Sequence, residues 1–136
     1  MKDLDIKNTK NVVKNEKNER FFTGLTGEKI AVYELTKKGF SLIQSRYKTE
    51  YGEIDLIMVD DAKKILIFVE VKRRKEIYDY SSVISKKQWM RIYNSSSIFL
   101  AENQDKYKDY FVRYDAFICF TESKNTIHIE NIFPEN

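Results

Sequence analysis

Residues 51–74 read YGEIDLIMVDDAKKILIFVEVKRR, and this stretch decides the fold. Two apolar runs, residues 53–59 and 65–72, are separated by a charged turn, which is typical of two neighbouring β-strands. The second run is apolar on both faces over most of its length, so we expect a central strand that is covered on both sides. Each run is nevertheless interrupted by an acid, Asp55 in the first and Glu70 in the second, and Lys72 follows two positions later.

The length of the turn predicts how the two strands pair. A four-residue loop at residues 61–64 would place Asp60 opposite Ile65 and, five steps on, Asp55 opposite Glu70. Side chains directly opposed in an antiparallel pair share a face, with Cβ atoms about 5 Å apart. Two carboxylates at such a short distance inside an apolar sheet repel each other and lose hydration. A divalent cation bound between them resolves both problems. Hard oxygen ligands favour magnesium or manganese over zinc.

Lys72 shares a face with Glu70 and lies one pleat further along the strand. A metal ion that acidifies water, next to an ammonium group, is an arrangement suited to attack on a phosphodiester. The alternative is structural, with Glu–Lys and Asp–Arg pairs on the surface at the frayed end of a sheet.

The remaining elements follow from periodicity and from turn residues. A helix is expected from Thr23 or Thr26 to Lys38, with Gly39 just beyond its end. A strand follows at 40–47 and a turn at 49–52. A second helix spans residues 81 to about 103, although NSSS at 94–97 is a weak helix former at which it could bend or break. Strands at 111–120 and 126–133, joined by a turn near 122–125, complete the order αβββαββ, which indicates an α/β fold with a mixed sheet flanked by helices.

Composition indicates one folded domain. The chain has 136 residues with a net charge of +3, and residues 1–22, charged and rich in Asn, are expected to form a flexible N-terminal arm before a single domain at 23–136. Cys119 is the only cysteine and His128 the only histidine, which excludes an intrachain disulfide and multi-histidine metal centres. We expect Cys119 to be a buried thiol and His128 to be a strand residue. No apolar run reaches the length of a membrane span and no signal peptide is apparent, so the cytoplasm is the expected compartment.

Basic residues concentrate between residues 72 and 91. Seven of them stand against two acids, a pattern that fits either a polyanion partner or an ordinary solvated surface. Gln88 could face the sheet and the metal site, but the sequence SKKQ favours a capping box with Ser85. Glu28 lies on the apolar stripe of the first helix, or it simply complements the helix dipole. Asp115 is expected to be a structural partner of Arg113 or of another basic group.

The segments GEIDLIM and IFVEVKRR together resemble the YraN (UPF0102) family of small bacterial proteins. The resemblance extends from TGEKIAVYELTKKGF through SVISKKQWMRI to VRYDAFICF. It implies a restriction-endonuclease-like core of the PD-(D/E)xK nuclease superfamily, similar to Holliday-junction resolvases. It further implies Asp55 and Glu70 as metal ligands, the backbone carbonyl of Val71 as a third ligand, Lys72 as the residue that orients or activates water, and Glu28 as an additional acid. Ile54 stands where the superfamily name has proline.

The resemblance leads us to expect a Mg²⁺- or Mn²⁺-dependent endonuclease acting on DNA, with branched and single-stranded forms among the candidate substrates. A homodimer is plausible, because cutting two strands symmetrically needs two sites. The alternative is a catalytically silent module that binds nucleic acid or recruits a protein. Retention of all four catalytic-type residues weighs against that alternative. The residues expected to contact nucleic acid are Arg73, Arg74, Lys86, Lys87, Gln88 and Arg91.

Overall fold

The computed structural model describes residues 24–75 and 84–132. The predicted arm, the start of the second helix at 81–83 and the last predicted strand residue, 133, lie outside these residues. Within the described part, the order of helices and strands agrees with the prediction, apart from one additional short helix.

The first helix, α1, spans Gly27–Lys37. The side chain of Thr26 caps it by accepting a hydrogen bond from the Lys29 backbone N–H at 3.2 Å. Beyond the end of the helix, Gly39 adopts a φ of +101°, a left-handed conformation that glycine adopts without strain. The predicted end is therefore confirmed, and of the two candidate starts Thr26 is the cap.

A five-stranded mixed sheet forms the centre of the fold. Its strands are β1 Ser41–Thr49, β2 Gly52–Asp60, β3 Ile65–Arg74, β4 Phe111–Phe120 and β5 Thr126–Ile129. They lie in sequence order, and only the β3–β4 pair is parallel. The predicted α/β class with a mixed sheet is confirmed, and β3 is the central strand.

The two faces of β2 and β3 pack against different helices. On one face, Leu56, Met58, Ile67 and Val69 form a buried cluster with residues of α1 that include Leu35. On the other face, buried side chains of β2 and β3 pack against Phe99 of the second long helix. Alternation along β3 therefore assigns each residue of its C-terminal end to one of these two sides.

The second long helix, α2, spans Lys86–Glu102. Residues 84 and 85 are described and are not helical, so the prediction of a helix from residue 81 is wrong at these two positions. Ser85 and Gln88 form the expected capping box, which fixes the start at Lys86. The helix continues through residues 94–97 without a break. Ser95 and Ser96 are fully buried there, and the Ser95 hydroxyl lies 2.7 Å from that of Thr49. Small side chains thus let the helix pack closely on the sheet.

Two differences from prediction lie near the C-terminus. A short helix, α3, at Gln104–Tyr107 was not predicted. Strand β5 ends at Ile129 and does not continue towards residue 133. Asn131 has a φ of +60°, and its N–H donates to Asp115 Oδ1 at 2.9 Å. The chain therefore turns towards a buried carboxylate and leaves the sheet.

Asp115 is the centre of a buried polar network. Its carboxylate is fully buried, accepts a hydrogen bond from Arg113 Nη2 at 2.8 Å, and lies 2.7 Å from His128 Nε2. Burial alone would raise the pKa of Asp115, but the hydrogen bonds from His128 and Arg113 outweigh it and hold the pKa below its ordinary value. The predicted partnership with Arg113 is confirmed, as are the burial of the Cys119 thiol and the position of His128 in a strand.

No helix among the described residues is both long enough and apolar enough to cross a bilayer.

We expect Asp115→Asn to lower the free energy of unfolding by about 3–5 kcal/mol at pH 7, because it leaves the largely buried Arg113 guanidinium without its anion. A carboxyl group with a lowered pKa contributes stability above its unfolded pKa and loses it as the pH falls. The difference between variant and wild type should therefore begin to shrink as the pH falls below about 4, the ordinary pKa of Asp. Urea unfolding at several pH values measures this. Asp61→Asn, at an exposed carboxylate bonded to the Tyr110 hydroxyl, is the control and should change stability little.

Candidate active site

The ladder between β2 and β3 stops next to the two acids. The predicted register is confirmed from Asp60 opposite Ile65 to Leu56 opposite Val69. One step further, where Asp55 would face Glu70, the backbone pairing has ended. The Val71 N–H there donates to Asp55 Oδ2 at 2.7 Å. A side-chain carboxylate thus takes the place of a backbone acceptor, and the strands separate at the point where the acids lie.

The Asp55 and Glu70 carboxyl groups are close enough to share a hydrogen bond. Burial, that hydrogen bond and the charge of Asp55 together raise the pKa of Glu70 to about 8, while Lys72 acts in the opposite direction. Lys72 Nζ lies 3.5 Å from Glu70 Oε2, and both side chains are largely buried. The sequence prediction that these three residues meet on one face agrees with this geometry.

The backbone of Val71 adds a further oxygen. In a strand, the N–H and C=O of one residue point towards the same neighbouring strand. Because the Val71 N–H points to Asp55, the Val71 carbonyl faces the same gap between β2 and β3. Two carboxylates and a carbonyl are the hard oxygen donors that Mg²⁺ and Mn²⁺ prefer. The raised pKa of Glu70 is a second sign of fit, because it reflects burial of the carboxyl group first and the neighbouring Asp55 carboxylate second, and a bound cation would offset both.

Glu28 is not brought into this group. Within residues 24–75 and 84–132, no three side chains of the types His, Cys, Asp and Glu lie close enough together to hold a metal ion. Glu28 Oε2 instead lies 4.0 Å from Arg46 Nη2. The first turn of α1 does approach the site, because a Cβ on Gly27 would be only 3.1 Å from Val71 Cγ1. A metal-binding role for Glu28 stays a prediction.

The predicted nucleic-acid contacts occupy different positions around the site. Arg91 packs its side chain against Gly52 at the start of β2, near Asp55. Lys86 and Lys87 are exposed in the first turn of α2. The side-chain oxygen of Gln88, Oε1, accepts a hydrogen bond from the Ser85 N–H in the capping box. Arg73 is exposed, and the Arg74 guanidinium donates to the Arg73 carbonyl at 2.8 Å. Contact of these residues with nucleic acid stays a prediction.

An aromatic wall lies on the α2 side of β3. Phe68, two residues before Glu70 on the same face, stacks on Tyr114 with ring centroids 5.5 Å apart. Trp89 meets Tyr114 edge to face at 4.7 Å, and Tyr93 lies at the rim with 47% of its surface exposed. The aromatic residues of α2 therefore serve as core and rim, and they keep one side of the site apolar.

We expect metal-free protein to lose stability as the pH rises from about 4.5 to about 8, because the raised pKa of Glu70 contributes stability that is lost as the pH rises through this range. Glu70→Gln should lose less over this range, since its amide never ionises beside Asp55. Urea unfolding in the presence of chelator measures both. Glu53→Gln, at an exposed acid of the same strand β2, is the control and should follow the wild type. If the stability of Glu70→Gln and that of the wild type depended on pH in the same way, the close approach of Glu70 to Asp55 would be contradicted.

Comparison with known proteins agrees with the resemblance seen in the sequence. Residues 27–119 match the family described as "Uncharacterised protein family UPF0102". A UPF0102 protein of Bartonella bacilliformis is 33% identical over 123 residues, which covers 90% of this chain and 98% of the relative. A UPF0102 protein of Rhodopseudomonas palustris (strain BisB5) is 34% identical over 103 residues, covering 76% of each chain. A further relative from Treponema denticola is 33% identical over 124 residues.

The match includes the first helix, the strands that carry Asp55, Glu70 and Lys72, and β4 up to Cys119. Taken with the near full-length relatives, it shows that the chain belongs to the UPF0102 family.

Proposed function

We propose that this protein is a metal-dependent endonuclease that hydrolyses phosphodiester bonds in DNA. The observation that carries the proposal is the Asp55–Glu70 carboxyl pair, which lies beside Lys72 at the point where β2 and β3 separate. Buried acids with a strongly shifted pKa and a neighbouring ammonium are uncommon away from functional sites.

Asp55, Glu70 and the Val71 carbonyl would hold a Mg²⁺ or Mn²⁺ ion. When bound, the ion would acidify a water molecule and stabilise the charge that develops on the phosphate. Asp55 is already oriented by the Val71 N–H at 2.7 Å, so little reorganisation is needed on that side. Glu70 must lose its proton to become a ligand, which makes binding favourable at and above neutral pH.

Lys72 has two roles in this proposal. Its ammonium lies 3.5 Å from Glu70 and is largely buried, so it is fixed in position and poorly solvated. From there it orients the attacking water by hydrogen bonding, and its charge stabilises the additional negative charge on the phosphate in the transition state. In the free protein the same ammonium lowers the pKa of Glu70, against the larger rise that burial and Asp55 cause.

The surrounding charge supports a polyanionic substrate. Arg91 lies near the start of β2, and the exposed Lys86 and Lys87 occupy the first turn of α2 on the same side of the sheet as Glu70. Cations at such a position attract the phosphate backbone and make binding sensitive to salt. These contacts are independent of base sequence, which fits an enzyme that recognises DNA structure.

A module that binds nucleic acid without cleaving it is the second candidate. It is favoured by the position of Glu28, whose carboxylate lies 4.0 Å from Arg46, so that the described residues place no third acid beside Asp55 and Glu70. Binding would then depend on the basic residues and would not depend on the acids.

We expect the wild type to cleave DNA in Mg²⁺ or Mn²⁺, and Asp55→Asn, Glu70→Gln and Lys72→Met to lose about 10²-fold or more of that activity. The first two remove charged ligands of the metal ion, and the third removes the ammonium that acts on the transition state. The assay compares single-stranded, duplex and four-way-junction DNA, so that it also identifies the substrate. Glu53→Gln is the matched control and should retain activity. Each variant is checked for folding by circular dichroism.

Cleavage that persists in Asp55→Asn would contradict the proposed site and indicate a contaminating nuclease. Salt-sensitive DNA binding by wild type and variants alike, without cleavage, would establish the second candidate.

A further inference from the structure

A row of three side chains crosses β3, β4 and β5 on the side of α1. Arg73 pairs with Cys119, and Cys119 pairs with Thr126, so the three residues point to the same face. Cys119 belongs to the buried cluster that packs under α1, which identifies that face. Beside this row lies a cavity of about 20 Å³, here called the Thr126 cavity, whose polar lining is Arg73, Thr121, Lys124, Asn125 and Thr126.

The Thr126 hydroxyl is the unexpected feature of this cavity. Thr126 is 1% exposed, and its Oγ1 is buried with no hydrogen-bond partner among the described residues. Leaving a buried hydroxyl unbonded is unfavourable, and native proteins seldom do so. The residue lines the cavity, and a ligand oxygen that comes within hydrogen-bond distance of Oγ1 would satisfy the hydroxyl.

The charges around the Thr126 cavity favour an anion. Arg73 and Lys124 both line it. Among the described residues, the Arg73 guanidinium donates only one hydrogen bond, to the Leu25 carbonyl oxygen, and at 3.5 Å this bond is long. Three acids have to be considered among the described residues. Glu28 and Glu34 act on Cys119 from a distance, and Glu122, next to Thr121, lies 3.7 Å from Lys75 Nζ, but none of the three lines the cavity. Burial raises the pKa of Cys119 to about 12, so its thiol is neutral and does not repel an anion.

We propose that the Thr126 cavity binds a backbone phosphate of the nucleic acid, with one phosphate oxygen accepting a hydrogen bond from the Thr126 hydroxyl. The inference rests on the proposed function in that DNA is taken to be the substrate. A volume of about 20 Å³ holds a single water-sized group. A phosphate can therefore place one oxygen inside, while Arg73 and Lys124 contact the remainder at the surface.

The position of the cavity relates it to the cleavage site. Lys72 and Arg73 are consecutive in β3 and point to opposite faces. A strand of DNA that crosses the C-terminal end of β3 can thus meet Lys72 on the α2 side and Arg73 on the α1 side. The cavity would hold the strand at a phosphate other than the one that is cleaved.

The experiment uses Thr126→Val, which removes the hydroxyl and keeps the shape of the side chain. Affinity for a fluorescently labelled duplex is measured by anisotropy in chelator, so that no cleavage occurs. We expect about tenfold weaker binding, the worth of one hydrogen bond to a charged group, with an unchanged or higher Tm. Lys124→Ala should also weaken binding and reduce the slope of affinity against salt by about one. Lys63→Ala, which removes the same charge at the opposite end of β3, is the matched control.

Wild-type affinity in Thr126→Val, or no DNA binding by the wild type, would overturn the inference. Inorganic phosphate that competes with DNA in the wild type as well as in Thr126→Val would also overturn it, because that competition would not involve the cavity. The readout is independent of cleavage. A Thr126→Val defect in a protein that never cleaves DNA would support the cavity and contradict the nuclease. Cleavage that requires Asp55, together with normal DNA binding by Thr126→Val, would support the nuclease and contradict the cavity.

Discussion

The structure depends on one electrostatic constraint, the close approach of the Asp55 and Glu70 carboxyl groups inside a covered sheet. The β2–β3 ladder would bring backbone against backbone at this point, but it ends at Leu56 and Val69. Asp55 then accepts the Val71 N–H that the ladder leaves unpaired. Two acids can be held this close only with a proton between them or a cation beside them, and the raised pKa of Glu70 shows the cost in the metal-free protein.

The two helices hold this arrangement from opposite faces of the sheet. On one side, α1 lies so close to β3 that a Cβ on Gly27 would meet Val71 Cγ1 at 3.1 Å, and glycine permits this approach. On the other side, α2 packs through the buried Ser95 and Ser96, which bond to Thr49 and Tyr114. The sheet is therefore packed on both faces next to the point where β2 and β3 separate. Lys86, Lys87 and Arg91 are exposed on the α2 side, and we propose that they meet the substrate.

Sequence reasoning predicted the features that depend on local pattern. Strand periodicity and the loop at residues 61–64 were sufficient for the register of β2 and β3, and hence for the meeting of Asp55 with Glu70. Features set by tertiary contacts were not predictable. The serines of α2 are weak helix formers in isolation, but burial against Thr49 and Tyr114 stabilises them in the helix. Thr126 looked like an ordinary strand residue, because its unbonded hydroxyl becomes apparent only when β3, β4 and β5 lie side by side.

The most direct test of the central claim is anomalous diffraction from crystals soaked in Mn²⁺ at pH 8. The account predicts one strong peak between Asp55, Glu70 and the Val71 carbonyl, with metal–oxygen distances of about 2.0–2.3 Å. In crystals of Asp55→Asn the peak should be absent or much weaker. A wild-type crystal with no peak between these groups, or with Mn²⁺ bound only elsewhere, would contradict the account.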